Sequence, residues 1–118
     1  MRIGTLVKGI GLLSMFALLT LGTWGSVALA EGNPHVAEAI AHAEGAAEHG
    51  GMGHADALVS HAEEALTHAQ AAQKEVKNPH LDEGVHELME AINHGKQGHA
   101  EVGTKHASSA VMHMKEVH

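Results

Sequence analysis

The chain of 118 residues contains no cysteine and no tyrosine, and just one phenylalanine and one tryptophan. Without cysteine there can be no disulfide staple and no thiolate metal site. Any metal chemistry must then use imidazole, carboxylate or thioether. Basic residues are scarce as well, with 7 Lys and Arg against 14 Asp and Glu. Such an acidic balance argues against nucleic acid as a partner, because phosphate binding needs clustered cations. Beyond the N-terminus there is no long apolar run, so nothing later in the chain reads as a membrane span.

The N-terminus has the layout of a secretory signal. Arg2 and Lys8 precede an apolar run from Ile10 to Leu21, and Ala28-Leu29-Ala30 supplies a small-x-small cleavage pattern. Residues 1–30 are therefore expected to be a signal peptide removed before Glu31, rather than a retained anchor. Residues 31–118 are expected to be one exported domain with no stable membrane association. Phe16 and Trp24 both leave with the signal, so the mature chain has no aromatic Phe, Trp or Tyr. Its core must be assembled from Ala, Val, Leu, Ile and Met, which bury little area each, and its stability should be modest.

What the sequence does have is histidine: 13 residues, mostly spaced by sevens, with His118 at the end. His35, His42 and His49 form one trio and His54, His61 and His68 a second. After a gap come His80, His86 and His94, then His99, His106 and His113. The two halves align at a constant offset. Asn33-Pro34-His35 matches Asn78-Pro79-His80, His49-Gly50 matches His94-Gly95, and Gly53-His54 matches Gly98-His99. His42 alone lacks its counterpart, since Glu87 stands there and His86 comes one residue earlier. An internal duplication of this kind dictates the architecture.

Each half reads as a pair of helices. Asn33 and Asn78 are N-cap candidates ahead of first-turn prolines, and Gly50-Gly51-Met52-Gly53 and Gly95-Lys96-Gln97-Gly98 read as short breaks. The expectation is four helices at about 34–49, 54–75, 79–94 and 99–117. Short connections favour antiparallel neighbours, which gives an all-α, up-down-up-down four-helix bundle. With histidine as heptad position a, apolar residues collect at b, e and f. They are Val36, Ile40 and Ala43; Leu58, Val59, Ala62 and Leu66; Leu81, Val85, Leu88 and Ile92; Ala107, Ala110, Val111 and Met114. These form one stripe per helix, with the histidines accessible on its shoulder.

Seven residues along a helix rise about 10 Å, too far for two such histidines to share an ion. Positions three or four apart can share one, and carboxylates fill several of the gaps. His35-Glu38-His42 and His61-Glu64-His68 are the clear cases, and His80, Glu83, Glu87, Glu90 and His94 continue the spacing. The fourth helix has His99, His106 and His113 without in-line carboxylates, so ligands must reach it from a neighbouring helix, water or another molecule. Candidate ligands are thus these residues together with His49, His54, His68 and His86. Imidazole with carboxylate suits Cu(II), Ni(II), Zn(II) and Co(II), copper binding tightest. His113 also lies between Met112 and Met114, whose thioethers suit Cu(I), although Met114 falls on the core stripe.

The repeated H-x-x-E-A-x-x-H pattern at His35–His42 and His61–His68, with the H-G-x-x-G-H link at His94–His99, resembles the small metal-binding protein family of bacterial periplasms. The Asn-Pro-His and Lys-His-Ala segments extend the resemblance over essentially the whole mature chain. It implies a monomeric periplasmic four-helix bundle that binds several divalent metals, copper above all, in copper management and without catalysis. Two other classes stand beside it. Histidines that charge near pH 6.5 could make a pH-responsive interaction module. A di-metal carboxylate oxidase would need inward-facing Glu-x-x-His pairs, and Glu83-Gly84-Val85-His86 alone has that spacing.

Overall fold

The computed structural model describes residues 32–118; the expected signal peptide and its cleavage point before Glu31 lie outside them. Each half opens on Asn-Pro-His for a physical reason. The Asn33 side chain accepts the backbone N–H groups of His35 at 2.8 Å and Val36 at 3.3 Å. Asn78 accepts that of His80 at 2.8 Å. These caps satisfy donors that have no intrahelical partner, and proline follows where its missing N–H costs nothing. From the caps run α1 (Pro34–Gly51) and α3 (Pro79–Lys96), followed after short links by α2 (Ala55–Gln73) and α4 (Ala100–Met114).

The two hairpin links close with the same hydrogen bonds. His54 N–H donates to the His49 carbonyl and Gly53 N–H to the Gly50 carbonyl, both at 2.9 Å. In the second hairpin His99 donates to His94 at 2.9 Å and Gly98 to Gly95 at 3.0 Å. This pair of bonds is the Schellman motif, which requires a left-handed residue. Gly53 at φ 84° and Gly98 at φ 81° provide it.

The helix ends differ from expectation in one instructive way. α1 and α3 continue through Gly50-Gly51 and Gly95-Lys96, which the sequence reading assigned to the breaks. Gly50 and Gly95 are points of close approach inside the helices. A β-carbon on Gly95 would stand 2.6 Å from Val59 Cγ2 and 3.0 Å from Leu58 Cδ2. One on Gly50 would overlap Thr104 and Leu58. α4 ends at Met114, short of the expected 117, because the chain turns at Lys115 and Glu116.

Neighbouring helices pack in the cycle α1–α2–α3–α4, with α2 and α4 the nearer diagonal. The result is the up-down-up-down four-helix bundle. Its core is drawn more narrowly than the b, e and f stripe. Positions b and e are buried: Val36, Ala39, Ala43 and Ala46 in α1, Leu58, Ala62, Ala65, Ala69 and Ala72 in α2, with their equivalents in α3 and α4. Position f mostly flanks the core, and Ile40, Val59, Leu66, Val85 and Ile92 are partly buried there. The few large core side chains are accommodated by glycine. Leu58 is fully buried, and the glycine positions nearest it come from all three other helices, at Gly50, Gly95 and Gly103. Across the surface Lys96 pairs with Glu63 at 3.0 Å and Lys115 with Glu44 at 2.9 Å. Exposed pairs like these add up to about 1 kcal/mol each at most. Among the described residues no helix is long and apolar enough to cross a membrane.

Adjacent glycines should respond to the same substitution with opposite sign. Gly50→Ala forces a methyl into Thr104 and Leu58 and should cost about 1–3 kcal/mol. Gly51→Ala enters open space and should be neutral or stabilise by up to about 1 kcal/mol. Urea unfolding of both variants checks this; equal effects would mean that the seam is not tight at Gly50.

Candidate metal centre

The seven-residue spacing acquires its meaning across each hairpin. Because α1 and α2 run antiparallel from a tight turn, His35 meets His68, His42 meets His61, and His49 meets His54. Their ring centroids are 5.7, 6.2 and 6.1 Å apart. Diagonal neighbours are as close or closer: His42 stacks on His68 at 5.6 Å and His49 on His61 at 5.0 Å, with planes within 8° of parallel. The six rings form a continuous ladder along the groove between the two helices. The Schellman bond from His54 N–H to the His49 carbonyl places the last rung. Alanine and glycine at the neighbouring core positions let the helices come close enough for rings to touch.

The second hairpin builds the same ladder with one substitution. His80 meets His113 at 5.7 Å, His94 meets His99 at 5.8 Å, and His94 stacks on His106 at 5.4 Å. The middle rung pairs His106 with Glu87 in place of a second imidazole, Nδ1 to Oε2 at 2.6 Å. An ionised carboxylate can only accept, so a neutral His106 ring donates from Nδ1 and leaves Nε2 free to bind an ion. A carboxylate behind a ligating histidine is the usual outer partner of a metal site. Glu87 thus stands behind His106 rather than among the clustered ligands.

Among the described residues three groups bring their ligand atoms within 4.8 Å of one another: Glu38, His42 and His68; His42, His61 and Glu64; and Glu90, His94 and His106. Glu64 Oε1 lies between two rings, 3.7 Å from His42 Nδ1 and 3.9 Å from His61 Nδ1. Each group spans both helices of its hairpin, whereas the sequence reading placed Glu38 with His35 and His42, and Glu64 with His61 and His68. The third ligand comes from across the groove because the facing ring is nearer than one seven residues along. Of the fourth-helix histidines, His106 meets carboxylates of α3, Glu87 and Glu90. His42 serves both groups of the first hairpin, so the two compete for one ring.

The remaining candidates fall outside these clusters. His35, His80 and His113 form the outer rungs, and His49, His54 and His99 the rungs at the turns. Glu83 and His86 are exposed on α3, away from the inward positions that a di-metal oxidase requires. The groove also holds ring nitrogens with nothing to bond: Nδ1 of His49, His61 and His94 is buried and unpartnered. A buried polar atom without a partner is costly, and a cation in the groove would supply one. His61 lies against α1 because Gly45 leaves room; a β-carbon there would be 3.2 Å from its Nδ1.

The fold and its ladders define a class: a helical bundle with open, cross-helix groups of imidazole and carboxylate able to hold metal ions. Over residues 8–117 the chain matches the family model described as small metal-binding protein, and it belongs to that family. No curated protein matches it.

Binding across a hairpin should stabilise it. At metal concentrations 100-fold above Kd each filled group adds about 2.7 kcal/mol, a rise in Tm on the order of 10–20 °C for a domain of this size. His42→Ala removes the ring common to both groups of the first hairpin and should abolish that hairpin's share while sparing the second. Glu87→Ala should weaken the second hairpin alone, by about 10–100-fold in affinity. Thermal melts with and without Cu(II) read both effects, and a His42→Ala protein that keeps the full shift would refute the shared-ring arrangement.

Proposed function

We propose that this protein binds several divalent transition-metal ions reversibly, copper ahead of nickel, zinc and cobalt, and sequesters or buffers them in the periplasm after export. The observation that carries the reading is the set of three imidazole–carboxylate groups straddling the hairpin grooves. Nitrogen and oxygen donors without thiolate follow the usual affinity order, in which copper stands highest. The groups have three ligands each and lie at the surface, leaving a coordination position to water or to a receiving molecule. Open sites of this kind exchange their ions, which suits a buffer better than a structural centre. Family membership supports a binding role rather than a catalytic one, with metal ions as the partners of a monomeric chain.

A second reading has one observation in its favour. Imidazoles stacked 5.0–5.6 Å apart would repel one another when charged, so acidification alone could loosen the hairpins. A pH-responsive module would change shape near pH 6 even with a chelator present.

The test is a calorimetric titration of the metal-free chain from Glu31 with Cu(II), repeated with Ni(II) and Zn(II). Several equivalents with copper tightest are expected, and affinity should fall as pH drops from about 7.5 to 5.5, because protons compete with metal for imidazole. One equivalent or none would overturn the buffering role and bring the pH-responsive reading forward. Export is checked separately: the protein recovered from the periplasm should begin at Glu31.

A further inference from the structure

The second ladder ends on His80 and His113, beside a surface depression that a methionine also lines. Nδ1 of His80 and Nδ1 of His113 are 3.5 Å apart, longer than the roughly 2.7–3.2 Å common for hydrogen bonds from nitrogen. With metal–nitrogen bonds of about 2.0–2.1 Å, two nitrogens on one ion lie about 3.3 Å apart in tetrahedral geometry and about 3.6 Å apart in trigonal geometry. The pair therefore already stands at the separation of two ligands on a common ion. Both histidines line a surface depression of about 480 Å³ together with Met112, Lys115 and Glu116.

The two methionines flanking His113 have different fates. Met114 is fully buried and packs where Gly84 leaves space, so its sulfur is committed to the core. Met112 is 67% exposed and lines the depression beside both imidazoles. The equivalent position in the first half is Thr67, which bonds back to the Glu63 carbonyl. The Lys115 ammonium is paired with Glu44 at 2.9 Å. None of the three imidazole–carboxylate groups includes His80 or His113, so this end of the hairpin is chemically distinct from them.

We propose that His80, His113 and Met112 form a site for a soft monovalent cation, Cu(I), held by two imidazole nitrogens and one thioether sulfur. Thioether selects Cu(I) over harder divalent ions, and three ligands suffice for it. The site takes up Cu(I) as supplied, with no electron transfer. Its role rests on the metal-binding reading above, but it uses other atoms and another oxidation state, so the two can fail separately.

The experiment is an anaerobic Cu(I) titration of the exported chain against a chromophoric Cu(I) chelator, with X-ray absorption on the loaded protein. One tight equivalent with a sulfur scatterer is expected. Met112→Leu, an exposed position that should leave folding intact, should weaken that equivalent. Loss of even an outer partner costs about 10–100-fold, so losing a direct ligand should cost at least tenfold. Cu(II) binding and the apo Tm should be unchanged. Thr67→Met should add a second tight equivalent beside His35 and His68, whose Nδ1 atoms are 3.4 Å apart. Undiminished Cu(I) affinity in Met112→Leu, an all-nitrogen spectrum, or no gain in Thr67→Met would overturn the site. A wild-type chain that binds several Cu(II) but no Cu(I) would refute this site alone; one that binds neither would refute both readings.

Discussion

Close approach of the helices across a seam of alanine and glycine is the constraint on which the rest of the structure depends. At most b and e positions the buried side chain is a methyl group or a hydrogen atom, so the helix axes can draw together. Histidine at the adjoining a position is then carried to the edge of the seam, where it faces the histidine of the other helix. Large residues throughout the seam would hold the helices apart and separate the rings. A small-residue core and a ligand ladder are thus two consequences of one packing choice. The choice has a cost, because an alanine contact buries little apolar area. An ion bridging the two helices of a hairpin would offset part of that cost, which would link folding to binding.

The duplication is close in backbone and uneven in side chains, and the unevenness has structural and chemical content. In the core, residues at equivalent positions differ in volume: Leu58 faces Gly103, its own counterpart, and Met114, the counterpart of Ala69, fills the space left by Gly84. Two identical halves would place two leucines or two glycines at that meeting point, giving a clash or a void. Along the grooves, His42 is matched by Glu87, Glu64 by Ser109 and Gly45 by Glu90. The carboxylates consequently stand at different heights in the two ladders. The first hairpin gathers its ligands around His42, while the second gathers them one rung nearer the turn, around His94 and His106. One fold thereby presents two unlike sets of sites.

Much of this was legible in the residues themselves. The Asn-Pro-His starts predicted the caps, the glycine-rich breaks predicted the turns, and the short connections predicted four helices in antiparallel order. Gly50 and Gly95 were harder to read, because a glycine that ends a helix and one that admits a neighbour look alike in sequence. The grouping of the candidate ligands was harder to read for a related reason. Reasoning along one helix joins Glu38 to His35 and His42, while the nearer third ligand, His68, lies on the facing helix. One signal for the facing rings was present: the histidines are placed symmetrically about each turn, His49 with His54, His42 with His61 and His35 with His68. In an antiparallel hairpin, residues equidistant from the turn must meet.

The sequence by itself determined the donor chemistry, since a chain without cysteine and rich in histidine and glutamate can offer only imidazole, carboxylate and thioether. It also determined the helices and their order, because capping, periodicity and short links are local effects encoded within a few residues. Which donors converge was decided only by the tertiary structure. Convergence depends on the distance between helix axes and on side chains many residues apart, and that distance is set by the collective packing of the alanine and glycine seam. The same packing separated Met114, drawn into the core, from Met112, left beside two imidazoles at the surface. Neighbours in sequence were sent to opposite sides of the helix, and only one kept its sulfur available.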